Sequence, residues 1–321
     1  MNYWMSTDKQ TWDRFVSKSP QGNVFCTSAF LDAMTVEYEL VGLEEAGRIV
    51  MGAIVLKDGE KVVTSPFPLT MYQGVLCCAE TAAMPHHKRS RWLLDALSLL
   101  LAEMEGRFDR ISFCLSHAWE DARAFQWFHY HDRDGGVFRI DLRYTGLLDL
   151  RETADLPTYM ARVRSVRRQE YRKAKSAGFV VTPEADVDLL NRLHGLTFAR
   201  QGIEREEAEE RMVIAVARAA LERDFGELLV CRDGTGRPAA ATLFLYDECT
   251  GYYYISATDP EYRASGCGTL LVMENIQRCM QRHVSTVDFV GINSPNRGDF
   301  KTSFDARPVP YLSFTWEKAP R

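Results

Sequence analysis

The stretch that most restricts this chain lies toward its C-terminal end. An aromatic and β-branched run, Tyr252-Tyr-Tyr-Ile-Ser-Ala257, gives way to a polar turn, Arg263-Ala-Ser-Gly-Cys-Gly268, and then to an amphipathic run from Thr269 to about Arg282. A further apolar run, Thr286–Val290, follows. The pattern predicts strand, glycine turn, helix and strand. A helix start carries unpaired backbone N–H groups and about half a positive charge, so it suits an anion. Gly266 and Gly268 would let a phosphate approach the backbone with no Cβ in the way. Arg263 is placed either to add a charge-assisted contact or to shape the loop. Spacing alone fits a glycine-rich helix start without a ligand equally well.

The remaining elements fall into two rounds of one order. In the first, Trp12, Phe15, Phe30, Leu31 and Met34 predict two short helices. Strands follow at Arg48–Leu56 and Lys61–Ser65 around an Asp58-Gly59 turn, then a helix over Ser90–Glu105. A strand (Arg110–Leu115), a helix (Glu120–Phe128) and a strand (Gly136–Asp141) complete the round, and Tyr144–Thr153 reads as a crossover. The second round has helices over Leu156–Ala177, Val187–Gln201 and Arg205–Arg223. Strands follow at Glu227–Arg232, Ala239–Tyr246 and Gly251–Ala257, then the glycine turn and its helix, Thr286–Val290, and a closing strand near Pro310–Trp316. Helices, a meander of strands, a helix and further strands, met twice, predict an α+β protein with two layered domains in tandem, residues 1–146 and 147–321.

Composition narrows the function classes. A net charge of −5 over 321 residues argues against coating DNA or other nucleic acid wholesale, although a local basic patch can still contact it. No run approaches the roughly 18 apolar residues of a membrane span. The first nine residues hold no apolar signal core, so the expected compartment is the cytoplasm. The eight cysteines are scattered without a C-x-x-C pair, as expected of buried free thiols. His86 and His87 are adjacent, and on a helix adjacent side chains point apart, so no metal site is expected.

With its flanking elements, the turn resembles the acyl-CoA signature of the GNAT N-acyltransferases, R/Q-x-x-G-x-G/A between a strand and a helix; Arg263, Gly266 and Gly268 fill its three positions. The resemblance implies that backbone amides of the turn, over Arg263, Ser265, Gly266, Cys267, Gly268 and Thr269, hold the pyrophosphate of an acyl-CoA. It also implies that the pantetheine arm lies where strands Tyr252–Ala257 and Thr286–Val290 splay apart. Three further segments are similar to the FemAB group: Val24-Phe-Cys-Thr-Ser-Ala-Phe-Leu31, Arg164-Ser-Val-Arg-Arg-Gln-Glu-Tyr-Arg-Lys-Ala-Lys-Ser-Ala-Gly178, and Asp299-Phe-Lys-Thr-Ser-Phe-Asp-Ala-Arg-Pro-Val309. That group joins two GNAT-like domains in one chain. It includes aminoacyl-tRNA-dependent peptidyltransferases of cell-wall building and a larger set of acyl-CoA N-acyltransferases. The long helical-hairpin arm of some tRNA-using members has no counterpart here.

Between Arg162 and Lys175, seven cationic side chains face one acid, Glu170. The run reads either as a solvated helix face or as a surface for a phosphate-bearing acceptor or a tRNA backbone. Arg164, Arg168 and Arg172, spaced by four, can form one stripe. Phe300-Lys301 with Phe304 resembles the F-K-x-x-F segment of FemAB proteins, which implies that Lys301 lies at the reacting ester end and stabilises an oxyanion. An attacking amine must lose a proton; Asp259 leads the candidates for taking it, with Glu261 and Asp288 as alternatives. Tyr254 and Asn293 are candidates to line the cleft. The expected function is N-acyl transfer from acyl-CoA to a small-molecule or peptide amine, by direct attack and without a metal, the acceptor lying between the domains. One alternative donor is an aminoacyl-tRNA. Another class altogether is a non-catalytic binding protein on a degenerate GNAT fold.

Overall fold

A computed structural model describes residues 1–6, 8–57, 63–64, 69–153, 155–200 and 202–318. The chain forms two compact units, one of Met1–Arg143 with Pro310–Arg321 and one of Tyr144–Val309. The closing segment therefore groups with the first unit, not with the second as the sequence suggested.

The first unit opens with β1 (Asn2–Ser6), α1 (Lys9–Lys18) and α2 (Ser28–Ala33). Asp8 caps α1 by accepting from the Gln10 and Thr11 amides, and Thr27 caps α2. β2 (Tyr38–Glu45) and β3 (Arg48–Lys57) form an antiparallel hairpin around Ala46 and Gly47, both at positive φ. Sequence reasoning paired β3 through the Asp58-Gly59 turn, which lies outside the described residues, and missed β1 and β2. β3 also pairs with the short strands β4 (Val63–Thr64) and β5 (Val75–Cys77). After α3 (Glu80–Ala83), the long helix α4 (His86–Glu105) buries Leu93, Leu97, Leu100, Leu101 and Met104 in a core shared with β2, β3 and β6 (Arg110–Cys114). The helix expected over Glu120–Phe128 shrinks to α5 (Arg123–Gln126), because Asp121 holds the Arg123 amide and guanidinium and keeps the preceding residues out of the helix. The C-terminal part of β13 (Arg307–Glu317) runs antiparallel to β6.

The second unit is a sheet in the order β7-β12-β11-β10-β9-β8. β7 (Arg139–Asp149) takes in much of the expected crossover and pairs with β12 (Thr286–Asp288) through Leu147–Asp149. The single helix expected over Leu156–Ala177 is broken into α6 (Leu156–Arg162) and α7 (Ser165–Ser176), with Val163 and Arg164 extended between them. The short strand β8 (Val180–Pro183) precedes α8 (Val187–Ala199) and α9 (Glu207–Glu222). The meander β9 (Gly226–Arg232), β10 (Pro238–Tyr246) and β11 (Thr250–Thr258) is antiparallel. The crossover helix α10 (Cys267–Gln281) then makes β11 and β12 a parallel pair. Leu270, Leu271, Val272, Met273 and Ile276 of α10 sink among Leu229, Cys231, Phe244 and Tyr253 on one face of the sheet, while α8 and α9 cover the other. A final helix, α11 (Pro295–Thr302), was not foreseen.

Candidate active site

The glycine turn sits where β11 hands over to α10. Gly266 is left-handed at φ +86°, and a Cβ there would stand 2.4 Å from the Glu170 carbonyl oxygen on α7. Close backbone packing thus demands glycine at this position whether or not a ligand binds. Gly268 is roomier: its Cβ would meet the Thr258 hydroxyl at 3.3 Å. The amide of Ser265 donates to the Tyr262 carbonyl at 2.9 Å, and that of Cys267 to the Ser265 hydroxyl at 3.1 Å. The amides of Gly266, Gly268 and Thr269 have no oxygen acceptor among the described residues. The Gly266 and Thr269 N–H groups are thus left open at the head of α10, and that of Gly268 has only the Cys267 sulfur as partner, with exposed Arg263 beside them and Lys173 anchored to the Ala264 carbonyl at 2.7 Å.

Beyond the turn, two strands part. β11 and β12 pair in parallel only at Thr250–Thr286, Gly251–Val287 and Tyr252–Asp288; β11 then runs on to Thr258 while Val290 and Gly291, both at positive φ, bend the other strand away. Lys301 of α11 reaches this parting. Its Nζ donates to the Val290 carbonyl and, at 3.3 Å, to the Gly291 carbonyl, and lies 5.5 Å from the centre of the Tyr253 ring. Burial pushes the amine down to about 7; the Asp288 carboxylate opposes the shift and the Arg297 guanidinium adds to it. Asp288 is fully buried and accepts from the Thr145 hydroxyl and, at 2.8 Å, from the Val290 amide, so it braces the peptide that Lys301 holds.

The turn, the crossover helix and the parting strands all lie within one segment that a family comparison matches. Residues 161–302 match the family described as an acetyltransferase (GNAT) domain. The structure of FemX superposes over 97% of both chains with a TM-score of 0.68 at 12% identity. The chain has the FemAB-like double-GNAT fold. A tandem GNAT protein from the clavulanic acid biosynthesis pathway matches over 100% of this chain and 99% of its own, with TM-score 0.56 and 13% identity. L-PGS from Bacillus licheniformis matches over 96% and 91%, with TM-score 0.54 and 12% identity. No curated protein matches the sequence.

Within this GNAT unit the expected site residues fare differently. Arg263, Gly266 and Gly268 stand together at the turn, but the neighbouring side chains are engaged. The Ser265 hydroxyl donates to the Tyr262 carbonyl, the Thr269 hydroxyl donates to Glu170, and Cys267 points into the core, where burial raises its thiol. The arginine stripe is not a free surface. Arg164 pairs with Asp299 at 2.7 Å, and Arg168 donates to the carbonyls of Met160, Ala161 and Val163, closing the end of α6; Arg172 is exposed and has no partner among the described residues. The break after Arg162 is what redirects Arg168. Asp259 caps the turn at the Glu261 amide and faces Arg237 at 3.6 Å. Asn293 uses its amide on both backbone groups of Tyr144, at 2.7 and 3.1 Å. Burial drives the Tyr254 phenol well up. It is the extra residue of a bulge, since Leu243 opposes Ile255 and Phe244 opposes Tyr253.

Sequence reasoning overlooked Arg167 and Glu170. Arg167 stacks 4.7 Å over Phe300, donates to Ser303 at 2.8 Å and pairs with Glu170 at 2.6 Å; Glu170 in turn holds Thr269. One chain of contacts thereby ties α11, α7 and α10 together. Among the described residues, no three His, Cys, Asp or Glu side chains group as a metal site, and no helix is long and apolar enough to cross a membrane.

Proposed function

We propose that the second unit transfers an acyl group from acyl-CoA to an amine. The observation that carries this reading is the row of amides at Gly266, Gly268 and Thr269 at the head of α10, none of them given to an oxygen among the described residues, next to the parting of β11 and β12. The pyrophosphate would rest on these amides with Arg263 alongside, and the thioester arm would run toward Lys301. The neutral acceptor amine attacks the thioester carbonyl, a C–N bond forms, and the C–S bond breaks to release the CoA thiol. The proton lost by the amine passes to the departing thiolate or to water. Lys301 in its cationic form, held in place by the Val290 and Gly291 carbonyls, would meet the oxyanion between these steps.

The test is thermal protection. A donor present at 100 times its Kd stabilises a folded protein by about 2.7 kcal/mol. Acetyl-CoA or free CoA should raise the melting temperature and aminoacyl-tRNA should not.

A second reading keeps the fold and takes an aminoacyl-tRNA as donor. It is favoured by the place of Lys301 within the strand parting, where the thioester arm of a CoA would otherwise pass. Protection by aminoacyl-tRNA with CoA silent selects it. Protection by a donor without transfer to any amine of a broad panel identifies a binding protein instead.

A further inference from the structure

The Lys301 amine stands in the gap between the two parting strands. On one side its Nζ donates to the Val290 and Gly291 carbonyls of the bend; on the other it lies 5.5 Å from the centre of the Tyr253 ring on β11. The groups that frame it therefore come from both walls of the gap. Lys301 is half-buried rather than sealed in the core. Its helix is also held to the donor turn. Arg167 lies 4.7 Å over Phe300, the neighbour of Lys301, and pairs with Glu170 at 2.6 Å, and Glu170 accepts from the Thr269 hydroxyl.

The surroundings of this amine differ from those of its fellow lysines. Lys175 is paired with Glu274 at 2.9 Å, whereas both hydrogen-bond partners of Lys301 are neutral carbonyls. Asp288 of β12 and Arg297 of α11 act on its charge in opposite senses, and Asp288 already accepts from the Thr145 hydroxyl and the Val290 amide. With burial lowering the amine to about 7, a large share of it is neutral near pH 7. An ordinary lysine is neutral there in fewer than about one molecule in a thousand. A neutral amine has two hydrogens and one lone pair. With its hydrogens on the Val290 and Gly291 carbonyls, the lone pair of Lys301 is turned away from the bend and is free to act as a nucleophile.

We infer that Lys301 is a self-acylation site: with acyl-CoA bound and no acceptor amine present, Lys301 itself takes the acyl group. This rests on the acyl-transfer reading of the same unit, which runs the thioester arm into this gap. The Nζ lone pair attacks the thioester carbonyl and a C–N bond forms. The C–S bond then breaks, and the proton lost by nitrogen passes to the departing thiolate, leaving the CoA thiol and a neutral Nε-acyl-lysine. An amide does not hand its acyl group on, so the step ends turnover. The chain loses the cation that would meet the oxyanion, and an excess of donor over acceptor silences it. An acceptor amine competes for the same thioester and protects Lys301.

The experiment incubates the full chain with acetyl-CoA in amine-free buffer at pH 6, 7, 8 and 9, and reads the mass of the intact chain and of its peptides. Lys301 should gain one acetyl group roughly tenfold faster, or more, than exposed Lys18 and Lys88 of the first unit. Its rate should rise through about pH 7 and level off above about 8. Lys301→Arg should abolish the fast acetylation and leave Lys18 and Lys88 unchanged. Gly268→Asp, which obstructs the donor turn, should slow acetylation of Lys301 alone. Acetylation of Lys301 no faster than that of Lys18 and Lys88, or equally fast in Gly268→Asp, overturns the inference. Thermal protection by free CoA, which carries no acyl group, is read on the same wild-type protein. Protection without acetylation rejects self-acylation only; absence of both rejects the donor site beneath it.

Discussion

A Cβ at residue 266 and the carbonyl oxygen of Glu170 cannot occupy the same structure: they would be 2.4 Å apart. The turn therefore needs its first glycine for two structural reasons, the contact with α7 and the left-handed φ of +86°. Gly266→Ala should cost about 2–4 kcal/mol, from strain of the left-handed backbone and overpacking together. A urea melt reads this directly, and a loss below 1 kcal/mol would show that α7 can retreat.

Gly268 should behave in the opposite way. Its Cβ position touches only the Thr258 hydroxyl, at 3.3 Å, so Gly268→Asp should fold with a loss of about 1 kcal/mol or less. The added carboxylate would face the diphosphate and block its approach, so CoA affinity should fall at least tenfold, about 1.4 kcal/mol. Unchanged affinity in calorimetry would remove the turn as the donor site.

The contrast between these glycines shows what the sequence could carry. The meander β9–β11, the turn and α10 were legible because their apolar residues repeat at strand and helix periods and their turns are marked by glycine and aspartate. β2 was missed because Gly42 interrupts its pattern; that residue opposes Gly52, and a Cβ on it would strike the Met51 carbonyl at 2.1 Å. α11 was missed because Pro295-Asn-Arg-Gly-Asp-Phe-Lys-Thr302 has no apolar stripe and sets Pro, Asn, Gly and Asp against only two good helix formers, Arg297 and Lys301; Arg164–Asp299 and the Lys301 contacts hold it. The different placing of Arg164 and Arg168 from the expected stripe has a related reason. Phase along a helix can be counted only from its true start, and α7 begins at Ser165 after a break that no proline or glycine announces.

Arg167 carries a prediction of its own. Its side chain is 14% exposed and joins Glu170, Ser303 and the Phe300 ring. Arg167→Ala leaves Glu170 with Thr269 as its side-chain partner and opens space over Phe300, so it should cost about 1–3 kcal/mol. Arg168→Ala, which loses only neutral carbonyl contacts at the end of α6, should cost about half of that or less. Equal losses in parallel denaturant titrations would mean that the three-helix tie is not cooperative.

Lys301 links stability, pH and turnover. Its amine is lowered from 10.5 to about 7 in the folded chain. Between those values the unfolded chain holds a proton that the folded chain has released, so stability rises with pH, from this group by at most about 1.4 kcal/mol per unit. Below about pH 7 both states are protonated and the slope vanishes. The buried thiols of Cys114, Cys231 and Cys279, raised to about 12, push the other way above pH 9, but they do so equally in wild type and in Lys301→Met. The difference between the two proteins in denaturant melts at pH 6, 7, 8 and 9 should therefore isolate the lysine, with the wild type gaining on the variant as pH rises. Turnover should show the complement. If the cation meets the oxyanion, kcat falls as pH climbs through about 7, Lys301→Ala lowers kcat more than donor affinity, and Lys301→Arg, charged throughout, loses the downturn. A kcat profile identical in wild type and Lys301→Arg would confine Lys301 to bracing the Val290–Gly291 bend.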